Sequence, residues 1–510
     1  MSIPVIDIFA GPGGLGEGFS SFKTDEEKIF KTVLSIEMDK YAHQTLTLRS
    51  FYRQFDPENV PDDYYKRLRG EISEEKLYEN WSQQAELAKE ESWNAKLGFD
   101  EESEVPKEVD RRIERALGNE KNWVLIGGPP CQAYSVVGRS RRQEKVLDAD
   151  KDERVDLYKQ YLRILEQQQP AVFVMENVKG MLSAKSKSDS IFEKISRDLK
   201  EAGYRTYSLV REPRNNLFDD PEFEPEDFVI RCENYGIPQT RHRVIILGVR
   251  EDFCEIRPAI LKKRPHVAIN KVIDDLPRVR SGLSRQQNDW YNWKKIVSAI
   301  TQNGTMEALD DDVKNIIKRS VNNIRNPQKN DGDEIVKNRA DYSPPDYETD
   351  WYYDYKIGGA CNHKSRGHMG SDLHRYLFAA AFAKVKNRSP KLEDFPKSLL
   401  PDHKNVKESI KTKKFADRFR AQLRNKPAKT ITSHISKDGH YYIHYDPLQC
   451  RSLTVREAAR IQTFPDNYFF CGPRTSQYVQ VGNAVPPLLA KKIAEIVKRV
   501  FEVNDGGVIN

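Results

Sequence analysis

Along the first 250 residues, short apolar runs alternate with longer stretches of helical periodicity. Residues 5–9, 32–36, 124–126, 171–175 and 244–247 are mostly apolar and of strand length. Such dense runs suit strands buried on both faces of a sheet. Residues 157–168 and 191–202 carry apolar positions at helical spacing. Strands alternating with helices predict an α/β fold built on a Rossmann-like, doubly wound, mostly parallel sheet. Between 71 and 120 the chain is charged and helical in pattern, and about 73–120 reads as a surface insertion without core strands. From about 258 to 450, Pro, Gly, Asn, His and aromatic residues become frequent and the period weakens, which predicts a smaller domain of irregular structure. Residues 456–463 and 486–501 are helical again. The expected organisation is a first domain over 1–257, a second over 258–450, and a segment over 451–510 that returns to the first.

Composition changes this picture little. With 510 residues the chain can bury a core without a disulfide or metal staple. Hydrophobic residues make up 38% and charged residues 31%, as expected for an ordinary core carrying large solvated insertions. The longest apolar stretch, 377–383, is far too short to span a bilayer. The N-terminus lacks the basic and apolar regions of a secretory signal, so a cytoplasmic protein is expected. The six cysteines, at 131, 232, 254, 361, 450 and 471, form no CxxC pair, which argues against a disulfide framework or a four-cysteine zinc site. Net charge is only +6, but its distribution is uneven. Residues 404–429 hold ten Lys/Arg against two acids, whereas residues 71–120 hold fifteen acids against seven bases. The first region could face a polyanion; the second would be repelled by one.

Four segments carry candidate chemistry. Phe9-Ala10-Gly11-Pro12-Gly13-Gly14-Leu15-Gly16 follows a strand and satisfies GxGxxG. Glycines there permit a tight strand-to-helix turn and close approach of backbone to a cofactor. Glu37, at the end of the next strand, is placed to bind ribose hydroxyls, and Asp39 reads as a helix-start residue. Gly128-Pro129-Pro130-Cys131-Gln132 leaves the strand at 124–126. Cys131 would then sit at the carboxyl edge of the sheet, where open α/β folds place their sites and where a stabilised thiolate is a nucleophile. Arg139, Arg141 and Arg142 follow, either as a solvated loop or as a lid touching phosphate. Met175-Glu176-Asn177 ends a buried strand, where a carboxylate could hold or donate a proton or cap the next turn. Gln239-Thr240-Arg241-His242-Arg243 opens another strand, and period two points both arginines to one face.

These segments, in this order, resemble the cytosine carbon-5 DNA methyltransferases. Residues 451–465, which open Arg451-Ser452-Leu453-Thr454-Val455-Arg456-Glu457, look like that family's late helical motif, and Gln480-Val481-Gly482-Asn483-Ala484-Val485-Pro486-Pro487 looks like its last. The resemblance covers roughly residues 4–250 and 450–500. It implies that Phe9, Gly11, Gly13, Gly14 and Leu15 line S-adenosylmethionine. Glu37 would hold its ribose and Met38 its adenine, with Asn483 and Ala484 closing the pocket. Gly70-Glu71-Ile72 stands in for the third, acidic cofactor motif, which would make Glu71 an adenine contact. Cys131 would attack carbon 6 of a flipped cytosine, Glu176 would bind its ring nitrogen and amine, and Arg243, with Arg241 nearby, would contact the base oxygen and the site's frame.

The same resemblance makes 258–450 a target-recognition domain, with double-stranded DNA bound in a cleft between the domains. A monomer is expected, with neither membrane nor metal as partner. It would serve as a restriction–modification or orphan methylase of prokaryotic type, alongside a cognate endonuclease in the former case. Cys361-Asn362-His363-Lys364-Ser365-Arg366-Gly367-His368 invites a zinc reading, but its spacing fits no common ligand pattern. A DNA-facing loop of Lys364, Arg366, His368 and Arg375 is expected instead. Arg418 and Arg420 in the basic run would meet phosphates or form a solvated face. Three rival functions remain: an RNA cytosine methyltransferase, a catalytically dead DNA-binding regulator, and a dinucleotide oxidoreductase. The first lacks its branch's Cys-Phe-Thr tripeptide here, and the last leaves the Pro-Pro-Cys-Gln segment unexplained.

Overall fold

The computed structural model describes residues 2–504 apart from 25–26, 99–103, 130–152, 184, 187–188, 216–219, 254–256, 303, 325–334, 338–343, 403–405, 407–411 and 413–415. Internal contacts divide the chain into two compact units. One comprises Met1–Val60, Trp81–Pro265 and Ala484–Asn510; the other comprises Pro61–Asn80 and His266–Asn483.

The first unit is built on one sheet. Its strands are β1 (Ile3–Ile8), β2 (Phe30–Glu37), β3 (Ser92–Asn94), β4 (Val124–Gly127), β5 (Val172–Val178), β6 (Tyr204–Tyr207), β7 (Val229–Arg231) and β8 (His242–Arg250). The spatial order is β6-β8-β5-β4-β1-β2-β3, with β7 also on β8. Strands β1 to β5 pair in parallel, whereas β8 runs antiparallel to β5, β6 and β7. Chain order reverses between β1 and β4, which makes the carboxyl ends of those strands a topological switch point. Helices α1 (Gly14–Ser20), α2 (Lys40–Arg53), α3 (Ser82–Glu91), α4 (Val105–Leu117), α5 (Glu153–Gln168) and α6 (Ile191–Glu201) complete the alternation. Ile6, Ile8, Leu125, Tyr161, Phe173 and Ile246 lie in one buried cluster.

Helix α1 is short, and its position depends on tight packing. A Cβ on Gly14 would lie 2.2 Å from the Val485 carbonyl oxygen, and one on Gly18 would lie 2.4 Å from the Ala490 Cβ. The C-terminal helix Pro487–Asn504 therefore approaches α1 at backbone distance. Beneath α1, Asp7 is 1% exposed, and neither carboxyl oxygen completes a hydrogen bond. Burial raises its pKa to about 8, opposed by the facing Gly16 N–H and by Arg53, and reinforced by Glu37 and Glu91. On the other side of α1, Glu17 takes Arg49 Nε at 2.9 Å, Arg53 reaches Glu91 at 2.5 Å, and Ser50 donates to Glu91 at 2.6 Å. These buried contacts join α1, α2 and α3.

The structure adds to the sequence pattern in three places. The charged stretch is no mere surface insertion: β3 extends the sheet beside β2, and Ala88, Val109 and Ile113 are fully buried. Ser92-Trp93-Asn94 has one apolar residue, too little to signal a strand between charged helices. The second unit also holds an ordered helical core. A cluster surrounds the helix Gly370–Lys386, in which Tyr376, Leu377, Phe378 and Ala381 meet Trp293, Val297, Val313 and Ile317. Residues 377–383 are apolar without a break because almost every face of that helix is covered, so no polar stripe marks its period. The boundaries also shift. Residues 61–80 and 451–483 group with the second unit, and only 484–510 return to the first. No helix among the described residues is long and apolar enough to cross a membrane.

Gly18→Ala should cost about 1–3 kcal/mol, because the added methyl meets backbone that cannot move independently; guanidinium unfolding measures this. Asp7 gives a pH test. Its native pKa lies above the ordinary 3.8, so between about 4 and about 8 the native state holds the extra proton. Stability must therefore fall as pH rises through that window. Asp7→Asn, which keeps the neutral shape, should remove this component and gain on the wild type towards pH 8. Parallel melts at pH 5 and pH 8 read the difference.

Candidate active site

The glycine turn is shaped by its backbone. Phe9, Gly11 and Gly13 have φ values of 55°, 58° and 88°. A left-handed residue costs least when it is glycine, so Phe9 is the strained member. Gly13 caps α1 with its backbone alone. The Gly11 N–H donates to Glu37 Oε2 at 2.8 Å, and the Asp39 N–H donates to Oε1 at 2.7 Å. Glu37 thus ties the turn after β1 to the end of β2, and burial raises its pKa. Asp39 caps α2 through Tyr41 and Ala42, as its position in the sequence suggested. Above Gly11, an added Cβ would meet nothing within 4 Å. Met38 is 57% exposed beside this opening, whereas Leu15 is buried.

The strand next to Glu37 is not at Gly70-Glu71-Ile72. It is β3, whose Asn94 pairs with Glu37 and donates from Nδ2 to the Glu37 carbonyl at 2.8 Å. Glu71 lies in the second unit, exposed and 2.8 Å from Arg69, which lowers its pKa. Sequence reasoning missed Asn94; the short Ser92-Trp93-Asn94 run between charged stretches was its one signal. Ala484 is buried in the first unit, and Asn483 is exposed at the end of the second.

At the adjoining strand ends, Glu176 on β5 meets Arg243 on β8, with Nε to Oε1 at 2.8 Å. Both side chains are mostly buried, at 13% and 14% exposure. Arg243 also donates to the His242 carbonyl at 2.9 Å. A Cβ on Gly128 would lie 2.9 Å from Glu176 Oε2, and Asn177 Nδ2 reaches the Pro129 carbonyl at 3.5 Å. The turn leaving β4 is therefore packed on the carboxylate. Cys131, two residues past Pro129, lies outside the described residues, as do Arg139, Arg141 and Arg142. Arg241 precedes β8 and is wholly buried, whereas Arg243 keeps 14% exposure. Arg241 lies near Cys232, whose thiol burial pushes up to about 12. Cys361, Cys450 and Cys471 are also buried, so no described cysteine is presented as a nucleophile.

In the second unit, most of the side chains expected at DNA have internal partners. His368 is buried between Ser452 Oγ and Tyr376 OH, both at 3.2 Å. Arg366 donates to the Lys437 and Ile435 carbonyls and lies over the Tyr478 ring. Arg375 pairs with Asp372 at 2.7 Å and donates to the Leu399 carbonyl. Arg420 is ion-paired with Asp417, and Arg418 is half-buried. Of these loop residues, Lys364 alone is exposed. His363 is buried between Thr454 Oγ1 and the Pro277 carbonyl. Among the described residues, no group of His, Cys, Asp or Glu could hold a metal. The late helical motif is also structural. Arg451 pairs with buried Glu457 through two 2.6 Å contacts, while Arg456 binds three carbonyls.

Comparison with known proteins agrees with this geometry. The family model for C-5 cytosine-specific DNA methylases matches residues 99–499. A type II methyltransferase of Bacillus paralicheniformis, M.Bpa9945I, is 34% identical over 98% of this chain and 99% of its own. The DNA (cytosine-5-)-methyltransferase M.ApeKI of Aeropyrum pernix is 24% identical over 74% of this chain and 81% of its own. Among solved structures, a DNA modification methyltransferase encoded in an E. coli prophage aligns with TM-score 0.52 at 17% identity, covering 98% of this chain and 100% of its own. The fold, the matched motifs and these relatives together assign the chain to the C-5 cytosine-specific DNA methylase family, to which it belongs.

Proposed function

We propose that this enzyme transfers a methyl group from S-adenosylmethionine to carbon 5 of a cytosine flipped out of duplex DNA, through a covalent adduct on Cys131. The observation that carries the reading is the Glu176–Arg243 pair at 2.8 Å, packed against the Gly128-Pro129 turn. Cys131 follows Pro129 within about 7 Å of chain. The relatives named type II methyltransferases support a role as the modification partner of a restriction endonuclease.

The residues at the β1 and β2 ends fit the cofactor. Gly11 opens onto free space, Glu37 offers a half-buried carboxylate for a ribose, and Met38 supplies an exposed apolar side chain. Asn94, beside Glu37, takes the adenine-contact position once expected at Glu71. When bound, S-adenosylmethionine supplies an electrophilic methyl group.

Carbon 5 of cytosine is a weak nucleophile. Addition of the Cys131 thiolate to carbon 6 gives an enamine whose carbon 5 is electron-rich. Glu176 holds ring nitrogen 3 and the exocyclic amine, and so offsets the charge that develops on the ring. Arg243 fixes the Glu176 carboxylate and is placed to reach the base oxygen. After methyl transfer, loss of the carbon-5 proton expels the Cys131 thiolate and restores the double bond. A stacked base cannot be reached on both faces, so the cytosine must leave the helix, at a cost of a few kcal/mol.

Glu37→Ala should weaken S-adenosylmethionine binding by about 1.5–3 kcal/mol, the value of a charge-assisted hydrogen bond, and leave DNA affinity unchanged. Calorimetric titration reads the first and fluorescence anisotropy the second. DNA carrying 5-fluorocytosine at the target tests the nucleophile. After methyl transfer, carbon 5 has no proton to lose, so protein and DNA should remain covalently joined in denaturing electrophoresis. The adduct should require S-adenosylmethionine and disappear in Cys131→Ser. An adduct that persists in that variant, or that maps to another cysteine, overturns the assignment.

A further inference from the structure

The second unit has an exposed edge on which five long polar side chains are unengaged among the described residues. Two short strands, β9 (Gly282–Leu283) and β10 (Gly367–His368), run parallel and end side by side. The chain after β9 presents Arg285, Gln286 and Gln287, all exposed. The chain after β10 presents Met369, 43% exposed. Helix α7 (Trp290–Ser298) adds Tyr291, 76% exposed, and the exposed Lys294 and Lys295. Among the described residues, the side chains of Arg285, Gln286, Gln287, Lys294 and Lys295 make no hydrogen bond or ion pair. That sets them apart from Arg366, Arg375 and Arg420, which are held by internal partners.

The frame beneath this edge is fixed. Asn288 Oδ1 accepts from the Leu283 N–H at 3.0 Å and from Arg280 at 2.8 Å. The Ser284 N–H donates to the His368 carbonyl at 3.0 Å. Asp289, the acid nearest this edge in sequence, caps α7 by accepting from the Asn292 N–H at 2.8 Å. Trp293, stacked on Trp290, donates to Ser281 Oγ at 2.8 Å. A Cβ on Gly370 would lie 3.8 Å from Gln286 Nε2, so the two loops touch.

Resting on the reading of the enzyme as a DNA methyltransferase, we propose that this two-loop edge contacts duplex DNA, with Arg285, Gln286 and Gln287 reading base edges and Lys294 and Lys295 meeting phosphates. The side-chain types suit the task. An arginine fork matches guanine, a glutamine amide matches adenine, and an apolar group such as Met369 matches the thymine methyl. Three cations with one capped acid complement a polyanion. A rigid base lowers the ordering cost of such contacts.

The full-length protein tests this. The triple variant Arg285→Ala, Gln286→Ala, Gln287→Ala should bind its methylated-motif duplex about 10- to 100-fold more weakly and relax the motif seen by bisulfite sequencing. Affinity for S-adenosylmethionine, assigned to the other unit, should be unchanged. Lys294→Gln with Lys295→Gln should leave the motif intact and flatten the slope of log affinity against log salt. If the triple variant melts early, the single Gln287→Ala variant carries the same test through the motif alone. Unchanged affinity, slope and motif in folded variants overturn the proposal. A wild type that transfers methyl but shows no salt-dependent loss in these variants refutes only this surface. A wild type that transfers no methyl to DNA overturns the proposed function with it.

Discussion

The Glu176–Arg243 ion pair is the contact on which this edge of the sheet depends. Each side chain is mostly buried, so neither charge can rely on water. Removing one partner from such a pair typically costs about 3–5 kcal/mol, because the other charge is stranded. The pair forms only because β8 enters the sheet antiparallel to β5, which brings the start of one strand to the end of the other. The turn leaving β4 then closes on the carboxylate, and it can do so because residue 128 has no side chain. Strand direction, glycine placement and the ion pair are thus one constraint seen at three scales.

A second tie organises the neighbouring strand ends. Glu37 accepts from Gly11 and from Asp39, so a single carboxylate sets both the glycine turn and the start of α2. Behind it, Glu17, Arg49, Arg53 and Glu91 join α1 to α2 and α3. The acidic stretch therefore supplies part of the frame. Glu91, which looks like one more solvated acid in the sequence, is buried against Arg53 and Ser50.

Charge count was a poor guide to the second unit for the same reason. Arginine has five donors in a fixed fork and is as useful for satisfying buried carbonyls as for binding phosphate. Arg451, Arg456 and Arg460 are spent entirely on internal partners. Arg366 and Arg375 turn inward in the same way, although their spacing beside His368 suggested a nucleic-acid loop. What separates a structural cation from a free one is whether the fold brings a carbonyl or carboxylate within reach.

The sequence by itself determined the alternation of strands and helices, the glycine turn, Glu37 at a strand end, and the places of Glu176 towards the end of one strand and Arg243 at the start of another. Those features are local: strand length, helical period and turn chemistry are written in neighbouring residues. Only the tertiary structure decided that Ser92–Asn94 joins the sheet beside Glu37, that Arg241 is wholly buried while Arg243 pairs with Glu176, and that residues 61–80 group with 266–483. It also decided that the uninterrupted apolar run at 377–383 is the centre of a second core. Each depends on partners far away in the chain. A three-residue strand is stabilised by its neighbour's ladder and not by its own propensity, and a helix covered on nearly every side carries no amphipathic signature to read.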